Sequence, residues 1–272
     1  MLSRDRSVAC ASCHDLAAGG DDGQVRSYGV DGRLGSINAP TVFNAALNPV
    51  QFWDGRAPSL EAQVNGPIHH PAEMDSDWDT VVSRLTQDAE YQRTFAEVYP
   101  DGVTAENVAS AIAEFERTLI TPNSPFDRFL RGEHGAITAP ARRGWSLFRE
   151  IGCASCHQGR NVGGNMFQVF GVLGDYFAER GDIQPADLGR YNVTGRDRDR
   201  HVFRVPSLRN VALTAPYFHD GRTSSLAAAV AIMGKYQLGR ELEAEDVGDL
   251  VAFLNSLTGV LPSAAGSSGE SP

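Results

Sequence analysis

Cys10-Ala11-Ser12-Cys13-His14 is repeated letter for letter as Cys153-Ala154-Ser155-Cys156-His157. In a Cys-x-x-Cys-His stretch the two thiols add across the vinyl groups of a haem. The adjoining imidazole is then held beneath the iron as its proximal ligand. The alternatives are a zinc-binding Cys pair and a thiol–disulfide redox pair. Zinc would take four Cys from two pairs and has no use for a His directly after each; a redox pair needs one copy and no His. Two identical copies point to two covalently bound c-type haems, with Cys10, Cys13, His14, Cys153, Cys156 and His157 as the attachment and iron-binding residues. These motifs use all four Cys of the chain, so no disulfide remains to be placed.

At 272 residues the chain has room for two domains. Its 28 Gly and 14 Pro suggest a loop-rich build, which suits rings that supply much of the apolar interior. A net charge of −10 argues against a nucleic-acid partner and allows a basic protein to dock. No apolar run reaches the ~20 residues of a membrane helix. Covalent haem attachment in bacteria normally takes place after export, so a periplasmic location is expected, although no signal peptide is visible. Residues 136–151 read as a helix leading into the second motif, whereas only nine residues precede Cys10. The expectation is that an export signal and a first helix belong upstream.

The repeat extends beyond the haem motifs. Residues 39–64 align without a gap onto 205–230, with 12 of 26 pairs identical, among them Pro40/Pro206, Asn44/Asn210, Phe52/Phe218, Asp54/Asp220 and Gly55/Gly221. Two copies of one haem unit are implied. The expected fold is all-α and loop-rich, with two cytochrome c-like domains in tandem: residues 1–133, residues 134–258, and a disordered Gly/Ser/Pro tail over 259–272. Helices are expected from caps at Ser76, Thr104 and Thr138, with Val108, Ile112, Phe115 and Leu119 as one apolar face. Another should start at Ser224 or Ser225, and the last should run from about Glu243 to Leu257. Residues 158–202 carry few periodic apolar residues and read as irregular.

The copies differ where chemistry would lie. Trp53 is opposite His219, Gln63 opposite Ala229, and Met233 opposite Pro67. Met233, at the end of a helix, offers a thioether for the second iron, which would give a six-coordinate haem of raised potential; Met166 competes, and a core Met is the plainer role. In the first half Met74, His69 and His70 are the candidate distal ligands. If none binds, that iron is open to a small molecule, and Glu73 with Gln63 could move protons during peroxide cleavage. The alternative for Glu73 is a solvated or salt-bridged carboxylate. Trp53 is either an electron bridge or a core filler beside a ring.

At this point the chain resembles the bacterial di-haem cytochrome c peroxidase family, which includes the MauG-type enzymes. The resemblance runs from Leu2 to Leu257. It rests on Ile37-Asn38-Ala39-Pro40-Thr41, Phe52-Trp53-Asp54-Gly55-Arg56, Pro71-Ala72-Glu73-Met74, Phe203-Arg204-Val205-Pro206-Ser207-Leu208-Arg209-Asn210, Ala215-Pro216-Tyr217-Phe218-His219-Asp220-Gly221 and Met233-Gly234-Lys235-Tyr236-Gln237. It implies a peroxidase reducing hydrogen peroxide to water. The N-terminal haem would be the peroxide site and the C-terminal haem the electron entry site. Glu73 would be the acid–base residue, Gln63 would line its pocket, Trp53 would lie between the haems, and Met233 would be the axial ligand. A structural calcium would be bound by Asn38, Thr214 and Pro216. The expected partners are hydrogen peroxide, a small donor (a cytochrome c or a cupredoxin) and a second copy as a homodimer. Val30 departs from the pattern, since many members have there a His that blocks the peroxidatic iron. An iron open without reductive activation is the expected consequence. The rival readings are a MauG-like enzyme oxidising a protein substrate and a di-haem electron carrier.

Overall fold

The computed structural model describes residues 1–262. In the first half, Ser59 Oγ accepts the Ala62 amide and starts α1, Leu60–His69. Asp77 caps α2, Trp78–Gln87, and Asp88 caps α3, Ala89–Val98. Thr104 caps α4, Ala105–Thr118. Each cap satisfies an amide that the first helical turn leaves without a partner. The expected cap at Ser76 moves one residue on, because the Asp77 carboxylate reaches the Thr80 amide at 2.7 Å while Ser76 Oγ is buried without a partner. Val64, Ile68, Met74, Val81, Leu85 and Val108 form the core between these helices. Phe115, expected inward, is 52% exposed.

The second half begins with α5, Pro125–Leu130, and α6, Ala139–Glu150, capped by Ser124 and Thr138. Residues 158–202 are loops carrying a three-residue strand β1, Phe167–Val169, and the short helices α7, Tyr176–Arg180, and α8, Tyr191–Thr194. Strand β2, Val202–Arg204, pairs antiparallel with β1; this ribbon is the one departure from an all-α fold among the named elements. Helix α9, Leu226–Ile232, is capped by Ser225 and runs into a π-helical turn, Met233–Gln237; α10 is Ala244–Asn255. Helices α6 and α10 nearly touch at Gly144, where a Cβ would meet the Asp249 carbonyl at 1.9 Å, and the Arg143 fork grips the Asp249 carboxylate at 2.6 and 2.7 Å. Phe126 of α5 is buried with Phe148 and Phe253, so the second core starts before the expected boundary at residue 133. The tail is tied down at its start: Gly259 N–H donates to Asn210 Oδ1 and Val260 N–H to the Pro122 carbonyl. Residues 263–272 of the expected disordered tail lie outside the described residues.

The sequence repeat is also a repeat of backbone. Asn44 and Asn210 both hold φ 59°, ψ 13° in the left-handed region, and Phe52 and Phe218 both hold φ 68°. The bridge Gln51 to Ala57 recurs as Tyr217 to Thr223. The two Asn then meet at one residue between the halves. Thr121 Oγ1 accepts from Asn44 Nδ2 at 2.8 Å and from Asn210 Nδ2 at 2.9 Å, and Thr121 N–H donates to Asn44 Oδ1. All three residues are at most 1% exposed. Thr121→Val keeps the shape but strands two buried amides, at about 1–3 kcal/mol each. A chemical-denaturation midpoint well below that of Thr121→Ser is the expected result.

Candidate functional site

Each Cys-Ala-Ser-Cys-His stretch forms a 3-10 turn, Cys10–Ser12 and Cys153–Ser155, in which the His amide bonds back to the first Cys carbonyl, at 3.0 Å in both copies. The turn sets both thiols and the imidazole around one opening. His14 Nδ1 lies 3.1 Å from the Gly20 carbonyl. A carbonyl only accepts, so Nδ1 carries the proton and Nε2 keeps its lone pair for a metal. Gly20 is required there: at φ +78° a Cβ would strike Thr41 Oγ1 at 2.7 Å. Burial lowers the pKa of His14, against the opposing pull of Gly20, and brings His157 down to about 4. Both rings are therefore neutral and able to ligate. His157 Nδ1 is buried without a well-formed hydrogen bond, although the carbonyls of Val162 and Pro206 face it.

All four thiols are free. Burial raises the pKa of Cys10 and Cys13, and takes Cys153 to about 11. At these three burial outweighs the hydrogen bonds that favour a thiolate, the opposite of what a redox pair would need. The two Cys pairs do not converge on a four-ligand site either. Among the described residues the one cluster of three ligating side chains is Asp187, His219 and Asp220, and there Arg180 already bonds Asp187 and Asp220. The zinc and redox alternatives fail on this geometry.

A cavity of about 440 Å³ opens over the second motif. Cys153, Cys156 and His157 line it, and so do Met233, Phe148 and Phe203. A half-open, mostly apolar cleft with two thiols and a neutral imidazole in its lining fits a covalently held haem. Met233 reaches this cavity at the start of the π-helical turn, whereas Met166 does not line it. The repeat position in the first half is Pro67, inside α1. Trp53, Asn38, Thr214 and Pro216 also reach the cavity wall. Trp53 Nε1 donates to the Asn38 carbonyl at 3.0 Å, and Asn38 Nδ2 donates to the Gln24 carbonyl at 2.8 Å.

Near the first motif the distal candidates separate. Met74 is 4% exposed within the helical core, so it packs rather than ligates. His69 is exposed and bonds the Asn65 carbonyl on its own helix. Val30 is fully buried in the turn Val30–Gly32, and its N–H donates to the Glu73 carbonyl at 2.9 Å. That bond places the Val30 loop against Glu73. The Glu73 side chain is 39% exposed, with Oε1 3.6 Å from His70 Nδ1. Partial burial raises its pKa, against the opposing fields of His70 and Arg56. Gln63 is half-buried on α1 and makes no side-chain hydrogen bond among the described residues. Neither Gln63 nor Glu73 lines the 440 Å³ cavity; Glu73 lies close enough to the first motif for its charge to help raise the pKa of the Cys13 thiol. Sequence reasoning assigned no role to Gly20 or Arg204, although Arg204 stands within the motif spanning residues 203–210.

The profile of a family described as di-haem cytochrome c peroxidase matches residues 1–135, and the cytochrome c profile matches residues 141–258. The chain is 52% identical over 260 residues to cytochrome c peroxidase Ccp of Escherichia coli (strain K12), covering 95% of this chain and 56% of that protein. It thus spans little more than half of that relative. It is 44% identical to cytochrome c551 peroxidase of Nitrosomonas europaea, over 96% of this chain and 77% of that one. Identity to methylamine utilization protein MauG of Methylorubrum extorquens is 36%, over 94% of this chain and 74% of that protein. The crystal structure of a MauG-like protein associated with microbial copper homeostasis superimposes with a TM-score of 0.84 at 28% identity, covering 95% of this chain and 85% of that one. Profiles, relatives and the duplicated haem-attachment frame agree, and the chain belongs to the di-haem cytochrome c peroxidase family.

Proposed function

We propose that the chain is the di-haem core of a peroxidase that reduces hydrogen peroxide to water with electrons from a small redox protein. The observation that carries this reading is the unequal surroundings of two identical motifs: a sulfur at the second cleft, and at the first a titratable carboxyl beside a residue that cannot bind iron. Cys10, Cys13 and His14 would hold one haem and Cys153, Cys156 and His157 the other; bound there, they would supply the electrons for peroxide reduction at the first site and one-electron relay at the second. His14, its Nδ1–H bonded to Gly20, presents Nε2 as a firm electron donor. Glu73 takes a proton from the incoming peroxide and returns it to the departing oxygen, so that oxygen leaves as water. Two electrons and two further protons complete the balance to two waters. Gln63 orients the peroxide by its amide.

Val30 has no atom to offer iron, Met74 packs in the core, His69 is exposed, and His70 Nδ1 accepts from the Ala72 amide, which supports a first site open without reductive activation. Trp53 is assigned as the link between the clefts, since its indole borders the second cavity from the first repeat. Asn38 Oδ1, with the carbonyls of Thr214 and Pro216, is assigned to calcium. All three line the cavity and their donors are oxygens, which suits that ion. Residues 1–133 form the peroxidatic unit and 134–258 the electron-transfer unit, in keeping with the two profile matches. The donor is a cytochrome c or cupredoxin. Haem attachment after export assigns the protein to the periplasm; no described helix is long and apolar enough to cross a membrane.

Glu73→Gln should retain both haems and lose about 10²–10⁴-fold in peroxide-dependent oxidation of a reduced small cytochrome c. A base acts only when ionised, and the Glu73 pKa is raised. The acid limb of kcat/KM should therefore lie above the ordinary carboxylate range, with activity falling as pH drops through it, and Glu73→Gln should abolish that limb. Ferric EPR of the di-haem protein should show one high-spin and one low-spin haem, and Met233→Ala should convert the low-spin signal. A spectrum with only low-spin haem would instead favour the electron carrier.

A further inference from the structure

We propose that Arg204 is the counter-ion of a propionate on the haem held by Cys153, Cys156 and His157, a role that rests on reading the 440 Å³ cavity as that haem's cleft. Arg204 ends β2 and is 5% exposed. Its Nε donates to the Phe52 carbonyl at 3.2 Å, but Nη1 is buried with no partner. Of the residues that line the cavity, Arg204 is the one Lys or Arg, and none is Asp or Glu. The cavity therefore carries one permanent positive charge and no protein carboxylate to balance it.

A guanidinium taken out of water without an anion costs several kcal/mol, so proteins rarely leave one that way. The other deeply placed arginines here are paired: Arg180 with Asp187 and Asp220, Arg209 with Asp127. Burial alone lowers the Arg204 pKa to about 10, with no carboxylate offsetting it. The missing partner is an anion that enters the cavity with its occupant. A haem brings two carboxylates, and the planar fork of Arg is the donor that matches a carboxylate geometrically. The Arg204 amide also donates to the Trp53 carbonyl at 2.8 Å. One residue thus ties the Phe52-Trp53 segment of the first half to the haem edge of the second.

The test uses the mature di-haem protein with Arg204→Gln and Arg204→Lys. Haem is counted by pyridine haemochrome and the C-terminal haem is titrated by spectroelectrochemistry. Removing the cation leaves the propionate charge unbalanced near the iron, which favours the ferric state. Arg204→Gln should therefore shift the midpoint to lower potential, while Arg204→Lys stays close to the parent. An unmoved midpoint in Arg204→Gln, or an equal shift in Arg204→Lys, would overturn the assignment. If Arg204→Gln does not mature, resonance Raman of the parent and Arg204→Lys decides. Propionate-bending bands at the hydrogen-bonded position support the pair, and bands at the free-carboxylate position reject it. A single covalent haem in the parent would overturn the cavity reading itself, whereas two haems with an unmoved midpoint would overturn only the role of Arg204.

Discussion

One threonine hydroxyl ties the equivalent positions of the two repeats to each other. Thr121 lies just past α4 of the first half, yet its Oγ1 accepts from the equivalent asparagine of each repeat. Both Asn44 and Asn210 sit in the left-handed region, where Asn is among the few non-glycine residues tolerated, and both turn their amides inward. With water excluded, no other partner can replace the hydroxyl. The bond geometry therefore registers one repeat against the other, and with it the two clefts. Asn161 strengthens the same seam, its amide donating to Asn48 Oδ1 at 2.8 Å.

On this common frame the clefts diverge by side chain rather than by backbone. At the positions of Trp53 and His219 the local chain is the same, but one displays an indole bonded to Asn38 and the other an imidazole whose Nε2 lies 2.7 Å from Asp187. At the positions of Pro67 and Met233 the first copy continues as helix, while the second widens into a π turn that carries a sulfur to the cavity. A π turn inserts one extra residue and rotates the side chains beyond it, a common device at functional positions. Duplication thus supplies two equal platforms, and a few substitutions give them different side-chain surroundings.

Charge is handled differently in two neighbouring places. Burial alone would raise the pKa of Asp187, but bonds from His219 and Arg180 outweigh it and hold the carboxyl well below its usual range. That cluster is complete in itself. Arg204, fifteen residues before His219 in sequence and lining the same cavity, has no such complement. The contrast matters because buried ions are stable only as sets. A complete set is architecture, whereas an incomplete one points to something that arrives later.

The sequence alone pointed to the covalent chemistry: two thiols and an imidazole at fixed spacing, written twice, suit haem attachment better than zinc or a redox pair, and their duplication with the 39–64 segment implied two equivalent units. Caps such as Thr104 and Thr138 were legible because they act within one turn. Other features depend on residues far apart in the chain, and periodicity carries no record of them. Helix α3 and the β1–β2 ribbon were not read, and the second core begins earlier than the boundary drawn, because Phe126 finds Phe253 only in space. That Met233 and not Met166 lines the cavity, that Met74 packs in the helical core, and that Val30 meets the Glu73 carbonyl were decided by which surfaces the fold turns inward. So was the solitary charge of Arg204. Sequence names the donors, but desolvation and distance, which set what a donor does, exist only once the chain has closed around them.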